Sequence, residues 1–190
     1  MTKLIIGLGN PGPEYQNNRH NIGFQTLESL RVAPNLFGAL SNFKLEKKFK
    51  AEIAKGDNFI LAKPQTFMNN SGQAVKILKS FYKIKPENII VIHDDIDLPI
   101  SKIRISQGSS SGGNKGVDSI IKELGSKNFI RVRVGIANTQ RVKIPADKFV
   151  LQNFNPSDKK ILKNLMPQIL GALNMLIADE SITKVQNKFN

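Results

Sequence analysis

The stretch that most constrains this chain is residues 4–24, LIIGLGNPGPEYQNNRHNIGF. Its apolar head, Leu4, Ile5, Ile6 and Leu8, reads as a buried strand, and the Gly/Asn/Pro cluster behind it forces a loop at the strand end. His20, one of two histidines in the chain, follows within that loop. From Asn21 an apolar spacing resumes that predicts a helix over residues 21–32 with Asn21 as N-cap. A strand end, a polar loop and a helix start therefore meet in one place. Reactive groups collect on loops held by a rigid scaffold, and imidazole suits proton transfer near neutrality. This loop is the candidate active site, against the alternative that His20 is an ordinary solvated or capping histidine.

The rest of the chain alternates in kind. Pro34 ends the first helix. Phe49, Ala51 and Ile53 alternate with charged residues, Gly56-Asp57 turns, and residues 59–62 return as a second strand, so a hairpin is expected. Pro64 closes it, and the polar loop PQTFMNNSG leads to a helix starting at Ser71 or Gly72 with Val75, Leu78 and Phe81 on one face. After Pro86, the head of IIVIHDDIDLP (residues 89–93) is too apolar for a half-exposed strand and reads as a central buried one, followed by Asp94, Asp95 and Asp97. KIRIS at 102–106 alternates, GSSSGGNKG is a flexible loop, residues 117–124 have helical spacing, and RVRVGI is another strand. From Pro156 the pattern is helical, with a kink expected at Pro167.

Strands alternating with helices indicate an α/β chain: a single three-layer domain over residues 1–190 with a mixed, mostly parallel central sheet flanked by helices. In such sheets ligands bind beyond the carboxyl ends of the strands. Asn10, Asn69 and Asp94 all fall just past strand ends, so they are expected to converge beside His20.

Composition narrows the chemistry. The chain has 28 Lys+Arg against 15 Asp+Glu, a net +13, which suggests a polyanion such as nucleic acid as partner, although lysines scattered over a solvated surface also account for such an excess. Cysteine is absent, which removes disulfides and thiolate chemistry, and with two histidines a zinc site would need several carboxylates. No metal and no cofactor are expected. No apolar span approaches the roughly 20 residues that cross a bilayer, so a cytoplasmic protein without membrane attachment is expected.

Three motifs mislead. GLGNPG at residues 7–12 matches a dinucleotide fingerprint, but Pro11 and Pro13 obstruct the helix that must open there. GSSSG at residues 108–112 matches a nucleophile elbow with Ser110, yet both histidines precede it. GSSSGGNKG lacks the Lys-Ser/Thr ending of a phosphate loop. Hydrolysis of an ester instead requires a base for water, a partner for the base's other nitrogen, and donors for the developing oxyanion. His20, Asp94, and the amides of Asn10 and Asn69 supply these types.

GLGNPGPEY with RHNIG, then QTFMNNSG, HDDIDLP, GG-x-x-G and R-x-R-x-GI, in that order, resemble bacterial-type peptidyl-tRNA hydrolases over essentially the whole chain. The resemblance implies cleavage of the ester between a peptide and the 3′ end of tRNA, with His20 as base and Asp94 keeping it basic. It implies that Asn10 distinguishes blocked from free aminoacyl groups, that Tyr15, Phe67 and Asn69 line the tRNA-end site, and that Arg104, Arg131 and Arg133 face acceptor-stem phosphate. His93 is expected to support its strand end. A monomer is expected. One motif departs: where the family usually has GGHNG, this chain has Gly112-Gly113-Asn114-Lys115-Gly116, so the substrate contact of that loop falls to Asn114 or Lys115. One expectation is that the backbone shifts so that Asn114 supplies the amide contact while Lys115 turns to tRNA phosphate. The alternatives are an inactive RNA-binding protein on the same fold and a nucleotide-cofactor enzyme using GLGNPG.

Overall fold

The computed structural model describes residues 2–190. Among them one sheet is formed by β1 (Lys3–Gly7), β2 (Lys44–Glu46), β3 (Ala51–Lys55), β4 (Phe59–Pro64), β5 (Ile89–Pro99), β6 (Ile103–Gln107) and β7 (Ile130–Ala137), in the order β2-β3-β4-β1-β5-β7-β6. The central strands β4, β1, β5 and β7 run parallel, and both flanks are antiparallel. The helices are α1 (Ile22–Arg31), α2 (Pro34–Phe37), α3 (Ser71–Phe81), α4 (Lys115–Leu124), α5 (Ala146–Val150), α6 (Pro156–Ile177) and α7 (Ile182–Phe189).

The apolar runs of β1 and β5 follow from burial on both faces. Strand alternation sends Ile5, Ile90 and Ile92 into a core with Leu27 and Leu30 of α1 and Leu165, Ile169 and Leu173 of α6. Leu4, Ile6, Ile89 and Val91 enter a second core with Val75 and Leu78 of α3 and Val117 and Ile120 of α4. The result is the expected three layers. Among the described residues no helix is long and apolar enough to cross a membrane.

Several boundaries differ from the sequence reading, each for a physical reason. Strand β5 does not end at His93: pairing with β7 continues through Asp94↔Val134 and Asp95↔Gly135 before a register shift, so Asp94 lies within a strand. Pro34 opens the short α2 at its first helical position, where its missing N–H costs nothing. Helix α6 runs on through Pro167, whose exposed position leaves water able to reach the carbonyl it cannot bond. The short elements β2 and α5 and the terminal α7 carry patterns too brief for periodicity to declare.

One close approach positions the loop. A Cβ on Gly7 would lie 2.5 Å from the Gly23 carbonyl oxygen, and one on Gly23 would collide with the backbone of Leu8 and Ile92. The start of α1 thus rests directly on the end of β1 and on β5 at Ile92, and His20, two residues ahead of α1, is brought to Asp94, two residues beyond Ile92.

Candidate active site

The 3-10 turn Arg19–Asn21 between β1 and α1 is anchored from behind. Arg19 is 1% exposed. Its Nη2 lies 3.0 Å from Asp158 Oδ2, its guanidinium sits over the rings of Phe149 and Phe154, and its backbone N–H donates to the Gln152 carbonyl. Asp158 is in turn held by the Asn138 amide and by the capping box that starts α6. A buried guanidinium is retained where a carboxylate and aromatic faces replace its water.

On the next residue, His20 Nδ1 donates to Asp94 Oδ1 at 2.8 Å. Both groups are buried, yet His20 borders a cleft of about 860 Å³. With Nδ1 engaged, Nε2 is the nitrogen left for chemistry in the cleft. Burial pushes the Asp94 carboxyl up, but the charge and hydrogen bond of His20, together with His93 and the Asn114 amide, pull it below the usual carboxylate value. Asp94 therefore stays ionised. His93 is wholly enclosed and donates from Nδ1 to the Asp94 carbonyl oxygen at 2.7 Å. Burial lowers its pKa to about 4, so it is a neutral strut for Asp94, as expected of it.

Asn10 is fixed by two partners. Its Oδ1 accepts from the Met68 N–H at 2.8 Å, and since a backbone N–H only donates, the amide NH₂ is left toward the cleft that Asn10 lines. Its own backbone N–H and C=O are clamped by Oδ1 and Nδ2 of Asn21, both at 2.9 Å. This corrects the reading of Asn21: no side-chain cap is made at α1, because both ends of that amide are spent on Asn10. Asn69 is exposed and lines the same cleft, as does Phe67. The Phe67 ring is 57% exposed and meets Tyr15 edge-on, with centroids 6.5 Å apart. His20, Asp94, Asn10 and Asn69 thus converge as the loop positions implied.

The model of the peptidyl-tRNA hydrolase family matches residues 4–190. The peptidyl-tRNA hydrolase of Aquifex aeolicus is 43% identical, over 90% of this chain and 88% of its own length. That of Lawsonia intracellularis is 41% identical, over 96% and 90%. The crystal structure of the peptidyl-tRNA hydrolase from Acinetobacter baumannii superposes with a TM-score of 0.86 at 31% identity, covering 98% of this chain and 93% of that one. The chain belongs to the peptidyl-tRNA hydrolase family.

For a peptidyl-tRNA hydrolase the basic strands β6 and β7 are of interest, and they divide. Arg104 and Arg133 are cross-strand partners, which puts them on one face of the sheet. Arg104 is exposed, and Arg133 is partly exposed with Nε 2.6 Å from Asp95 Oδ2. Arg131 shares that face but is 2% exposed. Its guanidinium donates to the Ser110 carbonyl at 2.7 Å and to the Ser109 hydroxyl, so it pins the glycine-rich loop and is not at the surface for phosphate. Alternation along β7 indicates the face; the loop folded over that face decides the exposure.

The same loop places Asn114 differently from expectation. Asn114 caps α4, its Oδ1 accepting from Gly116 and Val117 N–H, and its Nδ2 donates to Asp94 Oδ1 at 2.9 Å. Both ends of the amide are engaged within the protein. Lys115 is exposed, at the first position of α4 on the cleft edge. Arg19 escapes the sequence reading altogether, and Asn21 is in that reading a helix cap alone: they flank His20 in RHN, but nothing in a polar loop announces which polar residue will be enclosed.

Proposed function

We propose that the cleft hydrolyses the ester joining a peptide, or another N-blocked aminoacyl group, to the 3′ end of tRNA, so recycling tRNA from stalled translation, with His20 as general base. The observation that carries this reading is the 2.8 Å contact of His20 Nδ1 with the buried Asp94 carboxylate, made by a ring that borders the cleft. Membership of the family supports the substrate.

His20 Nε2 takes a proton from water as the water oxygen attacks the ester carbonyl carbon. Asp94 stabilises the imidazolium that forms and holds the ring in the tautomer with Nε2 free. The carbonyl oxygen becomes an oxyanion that accepts hydrogen bonds from the neutral amides of Asn10 and Asn69. Collapse expels the ribose oxygen, which regains a proton from the imidazolium. The exposed Phe67 ring, backed by Tyr15, offers a stacking face to a terminal base. Arg104, Arg133 and Lys115 supply positive charge for the acceptor-stem phosphates. On this reading the enzyme acts as a monomer without a metal, and the substrate supports a cytoplasmic site of action.

The test is release of free tRNA and N-blocked amino acid from N-acetylaminoacyl-tRNA by the purified chain in the presence of a chelator. Binding of the substrate without any release would favour an RNA-binding protein and overturn the reading.

A further inference from the structure

Asn114 joins the catalytic carboxylate to a helix that no substrate contact explains. Its oxygen accepts from the N–H groups of Gly116 and Val117 at 3.1 and 3.2 Å, capping α4. Its nitrogen donates to Asp94 Oδ1 at 2.9 Å and to the Asp94 carbonyl oxygen at 3.3 Å. A backbone N–H only donates and a carboxylate only accepts, so these partners permit one orientation of the amide.

The arrangement matters because a carboxylate torsion is broad and roughly two-fold. One hydrogen bond to His20 leaves the Asp94 oxygens free to rock, and the ring that must present Nε2 rocks with them. A second donor on the same Oδ1, arriving from a different element, removes that freedom. That element is itself fixed: a Cβ on Gly116 would run into Met68 Sδ and lie 2.8 Å from a methyl of Leu8, so the first turn of α4 is packed against the same loop ends that hold Asn10.

We propose that Asn114 is a positioning residue for the hydrolysis, an amide clamp from α4 that holds the Asp94 carboxylate in line with His20. It does not touch substrate. The proposal rests on the reading of His20 as the base, and it reassigns Asn114 from substrate contact to support of the catalytic pair. The groups facing Asp94 from the surrounding elements are His20 from the β1–α1 turn, His93 from its own strand and Asn114 from α4; Lys115 adjoins Asn114, and Asp95 is engaged by Arg133.

Serine and aspartate cap helices about as well as asparagine, which separates the two roles of this side chain. Asn114→Ser keeps the cap and removes the donor; Asn114→Asp keeps the cap and places a second carboxylate against Asp94. In the full-length protein, with N-acetylaminoacyl-tRNA as substrate, Asn114→Ser should lower kcat by roughly 10- to 100-fold, the loss expected for a hydrogen bond to a charged group. KM should stay within about threefold, and the thermal midpoint should be nearly unchanged. Asn114→Asp should lose more, and the acid limb of its kcat/KM profile should move to higher pH, because added negative charge favours the protonated base. Adding Asn114→Ser to His20→Ala should cost nothing further.

Other results overturn the proposal in distinguishable ways. If both variants retain kcat within twofold while His20→Ala is inactive, the clamp fails and the base stands. A loss confined to KM, with a shallower salt dependence of binding, makes Asn114 a tRNA contact instead. Near-normal turnover by His20→Ala removes the base reading and the clamp with it.

Discussion

Arg19 and His20 are neighbours in one turn, and each bonds an aspartate from a distant element, but the two pairs differ in what they can still do. Arg19–Asp158 is closed: the side chains are 1% and 4% exposed, and the guanidinium is sandwiched among Phe149 and Phe154. A charge that cannot titrate is paired and sealed, so its remaining role is to hold the turn. His20–Asp94 has the same enclosed carboxylate, 3% exposed, but an imidazole 10% exposed at the edge of the cleft. That ring can exchange a proton and has one nitrogen free. On the proposed reading of His20 as base, rigidity behind and reactivity in front come from consecutive residues, which is how a loop side chain is held to catalytic tolerance.

The comparison breaks most sharply with substitution of either partner. His20→Ala should lower ester hydrolysis by roughly two to four orders of magnitude, the usual share of a positioned base, while the denaturant midpoint stays close to the parent's. Comparable turnover in the variant, measured as tRNA release, contradicts the mechanism. Arg19→Met should do the opposite in kind. Removing one partner of a buried pair leaves Asp158 uncompensated, at a cost of roughly 3 kcal/mol or more, read from urea unfolding. An Arg19→Met protein that keeps its stability but loses activity would mean that the rear pair acts on the chemistry after all.

A third measurement separates titration in the fold from titration in the site. His93 is neutral when folded, with its pKa lowered to about 4 from the ordinary 6.5 by burial. Above pH 6.5 the ring is neutral in both states and adds no pH dependence. Between about 6.5 and 4 only the unfolded chain gains the proton, so stability should fall as pH falls, by roughly 3 kcal/mol in total. His93→Gln should flatten that part of the curve. Asp94, with its folded pKa depressed, contributes stability present above the ordinary carboxylate range and lost only at lower pH, outside the His93 window. A parent stability that is level from pH 7 to 4 would exclude the buried neutral ring.

The smallest effects lie at the surface. Lys115 stands at the first position of α4, where the helix dipole disfavours a cation. Lys115→Ala should raise stability by about 0.3 to 1 kcal/mol and reduce the log–log salt slope of tRNA binding by up to about one unit. Arg104→Ala should give a similar change of slope without the gain in stability. An unchanged slope in both variants would place the phosphate track elsewhere on this +13 chain.

By itself the sequence determined the alternation of strands and helices, the loops at the strand ends, and the identity of His20, Asp94, Asn10 and Asn69 as a converging set. Those features follow from local period, turn chemistry and motif order, each carried by neighbours in the chain. Only the tertiary structure decided how polar side chains of equal promise are spent. Asn21 sits at the start of a helix as a capping residue should, but the backbone of Asn10 arrives within its reach and takes both ends of its amide. Arg131 and Arg133 share a face of β7, and the 108–113 loop covers one and leaves the other. Asn114 looks like a residue for substrate and is turned onto Asp94. A hydrogen bond is a property of two groups, and when the second lies 11, 21 or 20 positions away, its arrival depends on how the layers pack rather than on anything written beside the first.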